Sequence, residues 1–249
     1  MTVTLQLLSD LHLEAPKGYD VFTIAAKSQY LALLGDIGST RDAGYLTFIR
    51  TQLRQFSIVF LVLGNHEPYY SDWASTKQQL RDFETDTRYD LTSDLTILGC
   101  TLFSHVPGAQ EESVSMGVND FYYIADWDVA RHNAAHASDL AWLDKQIAAL
   151  HGSGRRIIVL THYSPTTSVE AADTVYGSGS KISSAFSTDL SRAPSWLSDG
   201  VKVWAFGHTH YNCDFVDGHT GKRVLTNQRG YYFKQAEGFD GDKCIEIVD

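Results

Sequence analysis

Apolar positions along this chain gather into short runs, and the runs stop at the same kinds of residue. Ile58 to Leu63 is apolar throughout and stops at Gly64-Asn65-His66-Glu67. Leu31-Ala32-Leu33-Leu34 stops at Gly35-Asp36, Ile157 to Leu160 at Thr161-His162, and Val201 to Phe206 at Gly207-His208-Thr209-His210. A first strand over Thr2 to Leu8 is followed by Ser9-Asp10-Leu11-His12. A run such as Ile58 to Leu63 reads as a strand buried on both faces, as in the middle of a parallel sheet. Between the second and third runs, Leu46, Ile49, Leu53 and Phe56 recur at helical intervals and predict an amphipathic crossover over Arg41 to Phe56. Leu140, Leu143, Ile147 and Leu150 predict a second such helix over Asn133 to Leu150.

The remaining segments carry weaker patterns. Ser71 or Asp72 is placed to cap a helix running to about Tyr89. Ile97 to Ser104 and Phe121 to Ile124 read as strands of a second sheet, with Gly108 to Gly117 a polar loop between them. Tyr163 to Pro194 is the longest stretch without periodicity, and a connection of that length reads as a substrate-facing loop. Short strands are expected near Asp214, Arg223, Tyr231 and Glu246. With no repeat or linker, residues 1–249 read as one α/β domain.

Charge narrows the partners. The net charge of −10 argues against a general nucleic-acid or anionic-membrane surface, because 20 Lys and Arg are outnumbered by 30 Asp and Glu. A phosphate substrate stays open, since bound cations reverse the local sign. Cys100, Cys213 and Cys244 lie far apart without CxxC spacing and read as reduced packing residues. With no apolar leader and no membrane-length run, the expected location is cytoplasmic.

Open α/β sheets build their sites where strands end. Here five strand ends carry Asp, Asn and His in one order along the chain, for which a dinuclear metal site is the best account. Each fragment alone is a weak signal; the joint occurrence carries the reading. Asp10-x-His12 reads as two side chains on one face of an extended segment. His132-Asn133-Ala134-Ala135-His136 has the i, i+4 histidines of a zinc-peptidase helix, but Asn133 stands where the general-base Glu belongs, so both histidines read as helix-surface residues.

The set from Asp10 to His210 resembles the calcineurin-like metallophosphoesterase superfamily. The resemblance implies a four-layer αββα sandwich with a dinuclear centre at the C-terminal ends of the strands. It makes Asp36 the bridge between two ions, with Asp10, His12 and His210 completing one ligand set and Asn65, His162 and His208 the other. Imidazole, carboxylate and amide donors without thiolate suit two ions such as Mn, Fe or Zn. The implied reaction is hydrolysis of a small phosphodiester or phosphomonoester by a metal-bridging hydroxide, with His66 as general acid. A non-catalytic binding scaffold is the alternative, and no ligand is missing as that reading would require. Glu67 reads as a supporting residue, and Tyr69, Tyr70 and Trp73 as packing or a wall for a substrate group. Many members carry Asp three residues after the bridging Asp, followed in protein phosphatases by Arg. Ser39 and Thr40 stand there instead, leaving the partner that orients His66 open and weighing against a phosphoprotein substrate.

Overall fold

A computed structural model describes residues 2–81, 88–172 and 180–247. Its strands are β1 (Val3–Leu8), β2 (Tyr30–Leu34), β3 (Ile58–Val62), β4 (Arg88–Asp90), β5 (Leu95–Cys100), β6 (Arg156–Thr161), β7 (Val201–Phe206), β8 (Asp214–Val216), β9 (Arg223–Thr226), β10 (Gly230–Tyr231), β11 (Lys234–Gln235) and β12 (Cys244–Ile247). Its helices are α1 (Ala43–Gln55), α2 (Trp73–Leu80), α3 (Glu111–Gly117), α4 (Asp120–Tyr123), α5 (Val129–Leu150) and α6 (Pro194–Leu197).

One sheet has the order β12-β1-β2-β3, with β1, β2 and β3 parallel and β12 antiparallel to β1. The other has the order β4-β5-β6-β7-β9-β8, parallel from β5 to β9 and closed at each edge by an antiparallel strand. Side chains alternate across a strand, so an apolar run serves two layers at once. Leu5, Leu7, Ala32 and Leu34 turn inward against Ile158, Leu160, Val203 and Ala205 of the other sheet. Leu31 and Leu33 turn outward onto Tyr45, Phe48 and Ile49 of α1. On the far side, Val159, Trp204 and Phe206 pack on Leu143, Ile147 and Leu150 of α5 and on Trp196 of α6. The result is the four-layer αββα sandwich. The strand ends of the two sheets meet, with His162 Nδ1 donating to the Leu34 carbonyl across them at 2.8 Å.

Several expectations are corrected. Among the described residues β3 is the edge strand of its sheet, and Ile58 to Leu61 are only half-buried, with its flank facing an open cavity of about 530 Å³. The buried face of α1 is Tyr45, Phe48, Ile49 and Gln52, while Leu53 is 46% exposed. Residues 111–117 form α3 within the expected polar loop, and Val114 buries its apolar side. Phe121 to Tyr123 lie in α4, not in a strand, with the Ile124 N–H donating to the Asp120 carbonyl. Asp72 does cap α2, accepting from the Ser75 N–H at 2.8 Å, but Tyr89 lies in β4 and the intervening end of the expected helix falls outside the described residues. His132 and His136 are buried, not on the helix surface: Ser104 bonds His132, and His136 donates to backbone carbonyls of Leu102 and Phe103. Among the described residues no helix is long and apolar enough to cross a membrane.

Candidate active site

Five candidate ligands are held in the left-handed backbone region, Asp10 at φ 53°, His12 at 46°, Asp36 at 51°, His208 at 72° and His210 at 50°. Non-glycine residues rarely adopt it, at a cost of order 1–3 kcal/mol each, and such outliers gather where the fold must aim a side chain. Thus Asp10 and His12 are brought together by two tight turns rather than by the shared face of an extended segment. Backbone bonds hold the turns: Asp10 N–H donates to Gly35 O at 3.0 Å and His12 N–H to Asp36 O at 2.9 Å. The Asp10 carboxylate in turn accepts the His208 N–H at 3.0 and 3.1 Å. Glycine is needed at Gly64, where an added Cβ would collide with Asp36 Oδ1 and approach His162 Cε1 to 2.7 Å.

The side chains converge in two groups. In the first, His210 Nε2 lies 3.4 Å from Asp10 Oδ1 and 2.9 Å from His12 Nε2. In the second, His162 Nε2 lies 3.0 Å from Asn65 Oδ1 and 3.5 Å from Asp36 Oδ1, and the His208 ring is 4.9 Å from the His162 ring. Asp36 reaches into both, since its Oδ2 stands 3.9 Å from His12 Nε2. Potential ligand atoms lie within 4.8 Å of one another in the sets Asp10-His12-His210, Asp36-His162-His208 and His12-Asp36-His66.

The far sides of these ligands test whether the pocket suits metal ions. His12 and His162 turn Nδ1 to Glu14 and to the Leu34 carbonyl and so present Nε2 to the centre. Burial opposes charge on His162, but Asp36 and Asp10 raise its pKa to about 9, so a cation bound there takes the place of the Nε2 proton. Asn65 donates from Nδ2 to Asp120 Oδ1 at 2.8 Å, which turns its carbonyl oxygen inward. Rings and amides anchored on their far sides, with a ligand atom turned inward, are what cation sites require. Burial and the neighbouring His162 push the His208 pKa well below its usual value, keeping that ring neutral. The donor set fits divalent ions.

His66 sits at the rim of both groups. Its ring stacks on Tyr69 with centroids 4.1 Å apart and meets His12 edge-on at 4.5 Å. Nδ1 donates to Glu14 Oε1 at 2.8 Å; Nε2 lies 3.9 Å from Asp36 Oδ2 and 3.4 Å from the Tyr231 hydroxyl. Burial opposes charge on this ring, but Asp36 and Glu14 outweigh it and raise its pKa to about 9. Burial would also raise Glu14, yet the bonds from His12 and His66 hold it down at about 2. Glu67 supports the frame, accepting backbone N–H groups of Asp36, Ile37 and Gly64 at 3.1, 2.9 and 2.8 Å.

All eight residues singled out from the sequence therefore come together here: Asp10, His12, Asp36, Asn65, His66, His162, His208 and His210. Glu14, Asp120 and Tyr231 were missed. Glu14 had a signal, standing two residues beyond His12, where Asp10-x-His12 extends to Asp10-x-His12-x-Glu14. Asp120 and Tyr231 had none. Asp120 collects three buried donors: Asn65 Nδ2 at 2.8 Å, the Tyr69 hydroxyl at 2.7 Å and the Tyr163 hydroxyl at 3.2 Å. Asp120→Ala leaves the Tyr69 and Tyr163 hydroxyls without this acceptor, at a cost of about 1–3 kcal/mol per buried polar group, and leaves Asn65 Nδ2 only its longer 3.3 Å bond to the Tyr69 hydroxyl. It also frees Asn65 to rotate, so metal affinity is expected to fall about 10- to 100-fold. Metal titration of the variant checks this, and unchanged affinity in a folded variant refutes it.

Comparison with known proteins agrees with this picture. Residues 4–212 match the calcineurin-like phosphoesterase family. An uncharacterized protein, L509, of Acanthamoeba polyphaga mimivirus is 31% identical over 226 residues, covering 81% of this chain and 78% of its own. Among solved structures, the phosphopantetheinyl hydrolase of Mycobacterium tuberculosis superposes with a TM-score of 0.68 at 16% identity, over 92% of this chain and 89% of that one. A dimetal phosphatase from Danio rerio superposes with a TM-score of 0.54 at 16% identity, over 90% and 86% of the two chains. Strand order, converging ligands and sequence match lead to one conclusion: this chain belongs to the calcineurin-like phosphoesterase family.

Proposed function

We propose that the protein is a dinuclear metal-dependent hydrolase of small phosphate esters in which His66 protonates the leaving oxygen. The observation that carries this reading is the placement of Asp36, whose two oxygens face separate ligand groups, Oδ1 towards His162 and Oδ2 towards His12. Asp36 with Asp10, His12 and His210 would hold one ion, and Asp36 with Asn65, His162 and His208 the other. When bound, divalent ions such as Mn, Fe or Zn supply Lewis acidity to phosphoryl oxygens and lower the pKa of water towards ~7.

The protein's own residues do the rest. Asp36 and Asp10 fix the position of the ligand groups, and the anchored histidines exclude alternative tautomers. As the oxygen of a water that has released one proton to solvent bonds to phosphorus and the ester P–O bond breaks, the proton on His66 Nε2 passes to the departing oxygen. The site's surroundings favour a small organic ester. Arg41, the cation next to the vacated Ser39-Thr40 pair, donates instead to the Tyr70 carbonyl at 2.7 Å. With few protein cations aimed at the centre among the described residues, a diester with one fewer phosphate charge is the better match. Tyr231 stacks on His12 at 4.3 Å and Phe233 on Tyr231 at 5.5 Å, and Phe233 is 78% exposed, giving a flat apolar surface beside the site.

The test compares catalytic efficiency on a bis-aryl phosphate, an aryl phosphate, a phosphoserine peptide and single-stranded DNA, each with Mn, Zn and Fe. One of the two aryl esters is expected to be turned over fastest. Fastest turnover of peptide or DNA overturns the substrate class. Two tightly held ions with no turnover of any ester would favour a binding scaffold.

A further inference from the structure

The geometry points to Glu14 as the positioning residue for His66: one carboxylate oxygen anchors the general acid and the metal-facing His12 together. This rests on the reading of His66 as the acid. Glu14 lies in the turn after β1, with its side chain 15% exposed. Its Oε1 accepts from His66 Nδ1 at 2.8 Å and from His12 Nδ1 at 3.2 Å. Its Oε2 has no hydrogen-bond partner among the described residues.

Other nearby acids are engaged elsewhere. Asp42 pairs with Lys17 at 2.8 Å and accepts from the Tyr19 hydroxyl at 3.2 Å. Asp120 is committed to Asn65, Tyr69 and Tyr163, and Glu67 to backbone N–H groups. Ser39, which occupies the position where many relatives carry Asp, turns its hydroxyl to the Tyr69 carbonyl at 3.4 Å. Glu14 reaches the back of His66 from a different loop.

What the contact does follows from imidazole chemistry. Stacking on Tyr69 fixes the plane of the His66 ring but leaves two ring orientations related by a flip. Only one puts Nε2 towards Asp36, and an acceptor at Nδ1 selects it. The acid works only in the productive orientation, so a ring that adopts it about 1–3% of the time loses about 30- to 100-fold in proton donation, whereas water attack is untouched. Removing Glu14 is therefore felt in proportion to how much the leaving group needs a proton. Because the same oxygen also anchors His12, metal content has to be followed in parallel.

The experiment uses Glu14→Gln, Glu14→Ala, His66→Ala and the Glu14→Ala/His66→Ala double variant. Each is saturated with metal, its ion content measured, and its kcat and KM compared on an alkyl and a nitrophenyl phosphate ester. General-acid catalysis contributes roughly 100- to 10,000-fold. Glu14→Ala is expected to lower kcat about 30- to 100-fold on the alkyl ester and only a few-fold on the nitrophenyl ester, with KM within about threefold. Glu14→Gln keeps an acceptor oxygen and should lose about 10-fold on the alkyl ester, again with little change on the aryl one. In the His66→Ala background, Glu14→Ala should add no further leaving-group-dependent loss. Equal losses on both esters in Glu14→Gln, with His66→Ala still discriminating between them, overturn the role of Glu14 alone. Equal losses in His66→Ala overturn the acid assignment beneath it. If Glu14→Ala does not fold, the Glu14→Gln comparison decides by the same criterion.

Discussion

Asp36→Asn is expected to empty both metal positions. The substitution keeps the shape of the side chain but removes the charge shared by the two ligand groups. It also presents an amide N–H₂ to His162 Nε2 or to His12 Nε2, in place of an oxygen 3.5 or 3.9 Å away. A bridging carboxylate lost in this way weakens both ions at once, and metal-ion catalysis is worth several kcal/mol of transition-state stabilisation. Turnover should therefore fall by about a thousandfold or more. His12→Ala removes a ligand of the Asp10-His12-His210 group and should affect mainly one ion. Elemental analysis separates the outcomes: full metal in Asp36→Asn, or at most one ion in saturated native protein, rules out a shared bridge.

His66→Ala is expected to keep its metal and lose its chemistry. The His66 N–H still donates to Asp36 Oδ1 at 2.8 Å through the backbone, so the turn that positions Asn65 survives the substitution. What disappears is the proton at Nε2. The loss should lie near 100- to 10,000-fold for an alkyl ester, whose leaving oxygen depends on protonation, and well below that for a nitrophenyl ester. A parallel metal count keeps the two effects apart. Equal losses for both esters would remove the acid role, and loss of an ion would make His66 a ligand instead, as its place in the His12-Asp36-His66 set allows.

The site was more legible in the sequence than its supports. A buried strand must be apolar on both faces, so the first Asp, Asn or His after it stands out as a break in pattern. Asp36, Asn65, His162 and His208 are all visible for that reason. Glu14 and Asp120 sit on elements with no such contrast. They acquire their roles through contacts 52 and 55 residues away, with His66 and Asn65. Local signals misled where packing overrode them. Phe121, Tyr122 and Tyr123 have strand-forming side chains, yet form one helical turn that delivers the Asp120 carboxyl to Asn65. The apolar run of β3 looks the same whether its flank meets another strand or an open cavity. In α1, the reading on Leu46, Ile49, Leu53 and Phe56 selected the exposed Leu53 and passed over Tyr45 and Gln52, which are buried.

The strand carrying Asp10 and His12 has distant partners. β1 lies between β2 and β12, with Val3 opposite Ile247. Immediately before the left-handed turn at Asp10, Ser9 bridges to Gln228, donating to the Asn227 carbonyl at 3.0 Å and accepting the Arg229 N–H at 3.0 Å. Pairings so remote in sequence form only after long loops have closed, which places them late in folding. During synthesis Asp10 and His12 leave the ribosome more than two hundred residues ahead of the segments that lock them in place. The strained geometry that gives the pair its aim is thus a property of the finished fold, assembled only once the two ends of the chain have met.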